Sequence, residues 1–490
     1  MVSTLEEKKS DKNFIEYESY LILGGAKATS ERVSEVISPF SGKVIGQTQI
    51  PNPDQIEIAL QQVQNGFEII SKLSPLQRAN ILEKASLLIL ENSEELAKLI
   101  CLEIGKPIKQ ARLEIKRTAD IFKLSAEEAL RINGEIIPLS RQEQNHKKLA
   151  TFGYEPLGPV LAITPFNFPA STLAHKVAPA IAAGNSIILK PSPFASIIAY
   201  NLVKILLKAN LPPEAICLLN CSNTQTERMV QDYRLKFISF TGNSNTGWHL
   251  RSLAHPGTKL TLELGGNSPV IIHEDADLNK VIPACLRGSF AFSGQSCISV
   301  QRIYFHEKIA AEFMAEFLEA TEALSVGDPT DENIDIGPLI NDSAVRRIHL
   351  WTEEATSEGS QLITGGKILN NNCYEPTILH GTKPKMHIVS SEAFGPIVNL
   401  TSYQEIETAI KLANDTSYGL SAAIFTQNID LAFRTAKALK AGSVMINDSS
   451  AFRADEMPTG SYNQSGIGLE SPHYVIREMS QSKLTCLNLS

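Results

Sequence analysis

The sequence predicts an α/β protein whose first large unit is a doubly wound parallel sheet. Short apolar strands alternate with helical stretches over residues 160–264, and a second alternating region covers residues 268–449. The chain has 490 residues, which is enough for two or three domains of ordinary size. Buried strands that alternate with helices indicate a parallel sheet with helices on both faces. Such sheets bind ligands at the carboxyl ends of their strands.

In the first part of the chain, helices are predicted between two polar segments, residues 1–16 and residues 132–151, neither of which has an apolar core of its own. Residues 1–16 are polar and charged, and we expect a loose tail without a signal-peptide core. Apolar residues recur at helical spacing from Ile56 to Phe67 and from Ile81 to Leu88, and a long helix is predicted over residues 110–131. Residues 132–151 read as an extended, polar segment.

Strands and helices then alternate strictly. The strands are predicted at 160–164, 186–190, 215–220, 237–241 and 259–264, and the helices between them at 171–183, 196–209, 224–233 and 244–253. In the second region, helices are predicted at 309–324, 343–357, 406–414 and 431–441. The tail after Val475 again reads as extended, and exposed strands of this kind often pair between subunits.

Composition and charge narrow the range of partners. The net charge is -8 and there is no long run of Lys and Arg, so we expect no nucleic-acid partner. The most apolar region, Val160 to Leu189, is interrupted by polar residues and prolines, which argues against a membrane span. The cysteine count is odd, at seven, and no CxxC pair occurs. We therefore expect neither a disulfide framework nor a bound metal, and a reducing, cytoplasmic location.

Two segments carry groups suited to covalent catalysis. Cys297 ends the tetrapeptide GQSC, where a small flexible turn leaves a thiol accessible, and nearby positive potential would lower the pKa of such a thiol. Glu263 ends an apolar strand just before two glycines, where a carboxylate can act as a general base on water. Alone, each segment fits a commoner alternative, which is a buried structural cysteine or a solvated glutamate in a turn.

Two turns that follow predicted strands could hold a polar ligand. Asn167 lies in PFNFP after the strand VLAIT, where its amide can donate to a developing oxyanion, although Asn and Pro are also common in ordinary turns. The segment TGNSNTG, residues 241–247, offers backbone N–H groups and a helix N-terminus to a phosphate. It lacks the full GxGxxG pattern of dinucleotide-binding turns.

Together, and in this order, these segments resemble the aldehyde dehydrogenase superfamily from about residue 35 to about residue 480. Further matches are Gly184-Asn185 followed by KPS at 190–192, EAFGP at 392–396, SYGLS at 417–421 and QSGIG at 464–468. The resemblance implies a Rossmann-like cofactor domain, an α/β catalytic domain and a small β oligomerisation arm. The expected ranges are 17–131 and 152–262 for NAD(P) binding, 263–457 for catalysis, and 132–151 with 475–490 for oligomerisation.

The resemblance also implies the roles of three catalytic residues. Cys297 would attack the aldehyde carbon, and Asn167 together with the Cys297 backbone N–H would stabilise the oxyanion. The adduct would pass a hydride to the nicotinamide and leave a thioester, and Glu263 would activate the water that releases the carboxylic acid. Holding the adduct beside the nicotinamide makes hydride transfer effectively intramolecular.

The implied cofactor is NAD or NADP. In the family, the positions that match this sequence line the cleft, reach the adenosine ribose, approach the pyrophosphate or hold the nicotinamide ribose and ring. They are Thr164, Pro165, Phe166, Lys190, Ser192, Gly242, Asn243, Gly247, Leu264, Glu392 and Phe394. Pro193 stands where NAD-preferring members often carry a glutamate. A 2′-phosphate would not be repelled there, so both cofactors remain open.

The substrate implied is a small anionic or hydroxylated aldehyde. Arg117 and Arg453 resemble the anion-binding arginines of a branch that includes non-phosphorylating glyceraldehyde-3-phosphate, phosphonoacetaldehyde and lactaldehyde dehydrogenases. His175 falls near the family's substrate tunnel, and Ser296 stands where many phosphoryl-binding members place an arginine. A guanidinium pairs well with phosphate or carboxylate, but structural ion pairs for both arginines are an equally open alternative.

Two other functions remain to be weighed. A CoA-acylating aldehyde dehydrogenase would transfer the acyl group to CoA, but those enzymes usually lack the glutamate that corresponds to Glu263. A non-catalytic structural or binding homologue could lose Cys297, Glu263 or Asn167 without penalty, yet all of them are present. Family analogy suggests a homodimer or homotetramer without a membrane or nucleic-acid partner.

Overall fold

The computed structural model describes residues 17–489, and the tail predicted for residues 1–16 lies outside them. The helices are α1 (Pro53–Ile70), α2 (Pro75–Glu91), α3 (Ser93–Ile104), α4 (Ile108–Arg131), α5 (Pro169–Ala183), α6 (Ser196–Lys208), α7 (Asn223–Val230), α8 (Ser244–Leu253), α9 (Leu278–Phe290), α10 (Ala310–Glu322), α11 (Asp342–Ser357), α12 (His387–Ser390), α13 (Ile406–Asn414), α14 (Ile429–Ala438) and α15 (Pro472–Glu478). Across residues 17–489, no helix combines the length and apolar character needed to cross a bilayer.

The strands alternate with these helices as expected, with ends that differ from the predicted ones by a few residues. They are β1 (Tyr17–Ser19), β2 (Leu21–Leu23), β3 (Ala26–Ala28), β4 (Arg32–Ile37), β5 (Val44–Ile50), β6 (Glu135–Ile137), β7 (Lys148–Pro156), β8 (Val160–Ile163), β9 (Ile187–Lys190), β10 (Ile216–Leu218), β11 (Phe237–Thr241), β12 (Lys259–Glu263), β13 (Ser268–Ile272), β14 (Val300–His306), β15 (Gln361–Thr364), β16 (Thr377–His380), β17 (Ile397–Tyr403), β18 (Ser421–Phe425), β19 (Ser443–Ile446), β20 (Gly466–Ile467) and β21 (Ser480–Asn488).

The predicted doubly wound sheet is confirmed. Its eight strands run in the order β20-β12-β11-β8-β9-β10-β2-β3, and the five from β8 to β12 are parallel to one another. Among these five parallel strands, the chain runs from β8 outward through β9 and β10 and then returns to the other side of β8 with β11. The strand order therefore reverses between β8 and β11, and a cleft for a ligand opens at such a point.

The second alternating region forms a sheet of its own. Its order is β15-β16-β17-β14-β13-β18-β19, with only β15 antiparallel to its neighbour. The strand residues of β13, β14 and β18 are buried throughout, which is typical of parallel sheets covered on both faces. The expected α/β class holds for this region as well.

A small antiparallel sheet includes the segment predicted as extended before residue 152. Its order is β21-β7-β6, and β7 continues to Pro156, so the expected boundary at 151 falls inside this strand. A further sheet of β1, β5 and β4 lies near the start of the described chain.

The prediction of an extended tail after Val475 is wrong for its first residues, which end a helix. Val475 and Ile476 are buried in α15 and pack on the same core cluster as α5, and the chain becomes a strand only at Ser480. Pro472 opens this helix, as proline does at first helical positions. Seven residues are too few to show a helical period in the sequence, so the packing of the two buried side chains is what reveals the helix.

Candidate active site

A cavity of about 880 Å³ opens where the doubly wound sheet meets the second sheet. It is lined by all three predicted catalytic residues and by every predicted cofactor residue except Gly247. They are Thr164, Pro165, Phe166, Asn167, Lys190, Ser192, Gly242, Asn243, Glu263, Leu264, Cys297, Glu392 and Phe394. Arg117, His175 and Arg453 are not among the lining residues. The structure thus gathers the proposed chemistry in one place, and the three expected substrate residues lie outside that lining.

The segment before Cys297 has a strained backbone. Phe292, Ser293 and Gly294 all have left-handed φ values, of 47°, 56° and 67°, and this region is unfavourable for residues that carry a Cβ. Side chains hold the turn: the Phe292 N–H donates to Gln110 Oε1 at 2.8 Å and the Ser293 hydroxyl donates to the Gly337 carbonyl at 2.7 Å. Such strain persists only where the surroundings enforce it. The strained turn leads directly into the segment in which Cys297 lines the cleft.

Gln295 anchors the same segment from inside the protein. Its side chain is fully buried and its Oε1 accepts the Ile340 N–H at 2.9 Å. Its backbone carbonyl accepts a hydrogen bond from the amide of Asn167 at 2.9 Å. The predicted oxyanion residue and the segment that carries the predicted nucleophile are therefore in direct contact, although they are separated by more than a hundred residues.

The glycine pair that follows Glu263 allows this segment to approach. A Cβ on Gly266 would lie 2.0 Å from the Cys297 carbonyl oxygen, which no side chain could tolerate. Gly247 has a packing role instead of lining the cleft, because a Cβ there would lie 2.3 Å from the Leu264 side chain. It lets α8 pack closely against the residue that follows Glu263.

Burial raises the pKa of the Cys297 thiol to about 12, and the carboxyls of Glu392, Glu263 and Glu470 add to the rise while Arg453 opposes it. The thiol is therefore protonated at neutral pH in this arrangement. Cys297 is nevertheless half-buried, whereas every other cysteine is buried except Cys486, which lies on the exposed strand β21. Cys297 alone among the seven cysteines both reaches the cavity and faces a cluster of carboxyls.

Glu263 ends β12 with a carboxyl that lacks a hydrogen-bond partner. Its Oε1 is buried and has no partner among residues 17–489. Burial raises the pKa of Glu263 well above its ordinary value, and the negative charge of Glu470 adds to the rise, while Lys176 and Arg453 oppose it. A carboxyl with a raised pKa and an oxygen without a partner can accept and release a proton at the edge of a cleft.

Glu392 also lines the cleft, next to the glycine pair that follows Glu263. Burial raises the pKa of this carboxyl to about 7, opposed by the Gly266 N–H, which donates to Oε1 at 3.0 Å, and by the charge of Arg347. Phe394 follows with φ of 49° and meets the ring of Phe166 edge-on at 5.9 Å between centroids. An aromatic wall and a titratable carboxyl therefore face the same space as Cys297.

The other end of the cleft has the features of a nucleotide site. Asn243 caps α8, since its side chain accepts the Asn245 N–H at 2.9 Å, and the helix points its positive N-terminus at the cleft. Lys190 ends β9 and is buried, which lowers the pKa of its ammonium. It forms no ion pair with any described residue. A buried cation without an ion-pair partner and a helix N-terminus that line the same cavity suit the phosphates and hydroxyls of a dinucleotide.

Two of the three expected substrate residues bind the same carboxylate. Arg117 donates to Asp455 through Nε and Nη2, at 2.8 and 2.7 Å, and His175 Nε2 lies 2.9 Å from the same carboxylate. Arg453 forms no ion pair within residues 17–489, and its Nη2 donates to the Glu470 carbonyl at 3.3 Å. Asp455 was not among the candidate residues. The only feature of the sequence that could have identified it is its position two residues after Arg453.

Other site residues were also missed. Lys176 and Glu470 form a buried ion pair at 3.0 Å beside Glu263, and Arg347 and Tyr418 line the cavity. A lysine inside the apolar stretch of α5 is a usable signal, because lysine is almost never fully buried unless it is paired. Arg347 and Glu470 have no such signal, since their neighbours in sequence are those of ordinary surface segments.

Comparison with known proteins agrees with this geometry. The profile of the "Aldehyde dehydrogenase family" matches residues 26–485. A 3-sulfolactaldehyde dehydrogenase from Priestia megaterium is 37% identical over 470 residues, which cover 96% of this chain and 98% of that protein. The crystal structure of aldehyde dehydrogenase 21 from Physcomitrella patens, in complex with the product succinate, has 33% identity and a TM-score of 0.94, covering 96% of this chain and 98% of the other. A glyceraldehyde-3-phosphate dehydrogenase from Methanocaldococcus jannaschii, in complex with NADP, has 38% identity and a TM-score of 0.90, covering 94% of this chain and 100% of the other.

Proposed function

The chain belongs to the aldehyde dehydrogenase family as an NAD(P)-dependent aldehyde dehydrogenase, and we propose that it produces a carboxylic acid through a thioester on Cys297. The observation that carries the proposal is the convergence of Cys297, Asn167 and Glu263 on one cavity whose far end has a helix N-terminus and an unpaired lysine. NAD(P)⁺, when bound, accepts a hydride; the residues of the chain supply the covalent and acid–base steps.

The lining of the cavity, from its far end to the space around Cys297, fits a dinucleotide. The backbone N–H groups at the start of α8 and the ammonium of Lys190 suit phosphate and ribose oxygens, and Glu392 suits the hydroxyls of a second ribose. Thr164, Pro165, Phe166 and Phe394 supply the walls. Pro193 places no carboxylate near a 2′-phosphate, which supports the use of NADP as well as NAD.

Cys297 is the proposed nucleophile. Its sulfur adds to the aldehyde carbon as the carbon–oxygen π bond opens, and the proton of the thiol, which is neutral in the resting arrangement, passes to water in the cleft. Asn167 uses one N–H on the Gln295 carbonyl, so its second N–H is available for the oxygen of the adduct. The Cys297 backbone N–H is the second proposed donor, and two such donors form an oxyanion hole.

Glu263 is the proposed base for the second half-reaction. Its unpartnered oxygen can take a proton from water, and the resulting hydroxide adds to the thioester carbon. The carbon–sulfur bond then breaks, the sulfur leaves as a thiolate, and the product is the carboxylic acid. Without such a base, water would hydrolyse the thioester slowly, and another acceptor such as CoA could take the acyl group. The presence of Glu263 therefore favours water as the acyl acceptor.

The proposed substrate is a small aldehyde with one anionic or hydroxylated group. The charge of Arg453 acts on both Cys297 and Glu263, and it forms no ion pair with a described residue, so it is available to an anion. Arg117 and His175 are held by Asp455, which argues for a single anionic group rather than a dianionic phosphate. The aldehyde named for one relative, 3-sulfolactaldehyde, and the product named for another, succinate, are small anionic compounds.

We also propose the expected division of the chain and its assembly. Residues 17–131 and 152–262 would bind the cofactor, 263–457 would carry the catalytic cysteine, and 132–151 with 475–490 would join subunits in a homodimer or homotetramer in the cytoplasm. The strand β21 supports this, because eight of its nine residues are exposed, including Leu484 and Leu487. Light scattering during gel filtration tests the assembly.

The test of the activity is NAD(P)H formation, measured by absorbance, across a panel of small aldehydes with each cofactor. Product analysis with and without CoA identifies the acyl acceptor. We expect the free acid in both cases, with the highest kcat/KM for aldehydes that carry one negative charge or a hydroxyl. Acyl-CoA formation, or no reduction of either cofactor with any aldehyde, would refute the proposal.

A further inference from the structure

A buried ion pair that takes no part in the proposed steps lies behind the turn that carries Asn167. Lys106 follows α3 and is 1% exposed, and its ammonium bonds the carboxylate of Glu114, which lies in α4 and is 4% exposed. Desolvating two charges is expensive unless each is paired and further hydrogen-bonded. The remaining contacts of the two side chains therefore indicate what the pair does.

Glu114 is tied to the start of α5. Its Oε1 accepts the N–H of Ala170 at 2.9 Å and of Ser171 at 3.3 Å, in the first turn of that helix. Phe168, which precedes the helix, provides no side-chain cap. The carboxylate of Glu114 serves as the cap from another helix. Asn167 comes directly before Phe168, so this contact fixes the point at which the chain leaves the turn that carries Asn167.

Lys106 contacts both segments that carry the reacting groups. Its ammonium lies 3.8 Å from the ring centroid of Phe168 and 4.6 Å from that of Phe292. The two rings meet edge-on, with centroids 6.4 Å apart. Phe168 adjoins Asn167, and Phe292 opens the left-handed turn before Cys297. One cation between two aromatic faces thus joins segments that are distant in sequence.

We propose that Lys106 and Glu114 are positioning residues that hold the amide of Asn167 in register with the thiol of Cys297. The two segments meet on the cleft side through the bond from Asn167 to the Gln295 carbonyl, and behind it through Lys106. An oxygen on a carbon bonded to the sulfur must lie within reach of that amide. A misplacement of about 1 Å between reacting groups lowers a rate by about 100-fold. The inference rests on the proposed function for the roles of the two groups.

The experiment uses the double variant Lys106→Met/Glu114→Gln, because removing only one partner would leave a buried charge unpaired. We expect folded protein with unchanged cofactor affinity and aldehyde KM but kcat lower by about 100-fold. A folded double variant with the kcat of the wild type would overturn the proposal. If the double variant does not fold, Phe292→Leu takes its place, since it removes the ring contact and leaves both charges paired; the same result is expected and the same outcome would overturn it.

Glu103→Gln is the matched control. Glu103 is as buried as Glu114 and caps α6 in the same way, accepting the N–H of Ile197 at 2.7 Å and of Ile198 at 2.9 Å. We expect this control to lower the melting temperature and to keep the kcat of the wild type. An equal loss of kcat in the control would overturn the proposal, because any weakened helix start would then explain the result.

A second readout separates this proposal from the proposed function. If the wild type oxidises no aldehyde, the proposed function fails, and the rate of Cys297 alkylation by iodoacetamide across pH then decides the positioning role. We expect a lower alkylation midpoint in the double variant, or in Phe292→Leu if that variant replaces it, because a loosened turn exposes the thiol to water, and an unchanged midpoint in Glu103→Gln. A midpoint identical to that of the wild type would overturn the positioning role.

Discussion

Two clusters of buried titratable groups differ in whether their charges are paired. In the first, which we call the Asp455 cluster, Asp455 binds Arg117 and His175. Burial alone would raise the pKa of Asp455, yet the bonds from His175 and Arg117 hold it well below the usual range. In the second, the Cys297 cluster, Cys297, Glu263 and Glu392 share the cleft, and burial raises the pKa of all three.

The comparison shows that burial does not decide whether a group is reactive. Desolvation acts in the same direction on the acidic groups of both clusters, because burial raises the pKa of a carboxyl or a thiol. The partners decide the outcome, because the Asp455 cluster supplies a donor for its carboxylate and the Cys297 cluster leaves Glu263 Oε1 without one. Paired charges stabilise the folded structure, whereas a buried titratable group without a partner can gain or lose a proton during a reaction.

The largest expected effect comes from Cys297→Ala. Without the thiol no covalent adduct forms, so we expect aldehyde oxidation to fall by at least about 10⁴-fold, while the affinity for NAD(P)⁺ stays close to that of the wild type. Steady-state kinetics and cofactor titration measure the two. Cys486→Ala, at the exposed thiol on β21, is the control and should keep full activity. Substantial aldehyde oxidation by Cys297→Ala would show that Cys297 is not the nucleophile.

Glu263→Gln comes next. We expect hydrolysis to slow by about 10²–10³-fold, so that acylated enzyme accumulates and can be seen by mass spectrometry. Because the pKa of Glu263 is raised, the wild-type rate should rise with pH through that raised value, as the carboxyl loses its proton and becomes a base. The variant should lack this limb of the pH profile. An unchanged limb in Glu263→Gln would assign it to another group.

Asp455→Asn tests the paired cluster through stability. The pKa of Asp455 is depressed in the folded state, so its stabilisation is present above the ordinary value of about 3.9 and is lost as the pH falls below it. Removing one partner of a buried pair costs about 3 kcal/mol at neutral pH, measured by urea unfolding. The difference from the wild type should shrink toward acid pH.

Asp342→Asn is the control for that experiment. Asp342 pairs with Arg346 at 2.7 Å on the surface, where both side chains are more than half exposed. Exposed pairs contribute about 1 kcal/mol or less. Equal losses in the two variants would show that the Asp455 cluster is no more than another surface contact.

The smallest expected effect is on substrate choice. Arg453→Met should raise KM for anionic aldehydes about tenfold, as expected for the loss of one charged hydrogen bond of about 1.5 kcal/mol, and should leave neutral aldehydes nearly unchanged. Arg453→Lys keeps the charge and should give an intermediate value. If anionic and neutral aldehydes respond equally to Arg453→Met, Arg453 belongs with the paired, structural charges.

Much of the architecture could be read from local pattern. The strands from VLAIT to KLTLEL and the helices between them predicted the doubly wound sheet, because alternation of buried strands and helices allows few other arrangements. The turns after those strands then placed Asn167, Gly242 and Glu263 at one edge, where the structure finds them. Ordered motifs carried the resemblance from which the role of Cys297 was predicted, since GQSC alone favoured a structural cysteine.

The partners of the charged groups could be seen only in the folded chain. The sequence around Arg117 does not predict its contact with Asp455, and the sequence around Phe168 does not predict its contact with Lys106. Each contact joins segments that only packing brings together. The pKa of Glu263 likewise depends on Glu470 and Lys176, more than two hundred residues after it and almost ninety before it. Periodicity and motifs report what one segment prefers. Whether a charge is paired, buried or left free to react depends on distances across the fold, which decided that Arg117 and His175 meet a carboxylate while Glu263 faces the cleft.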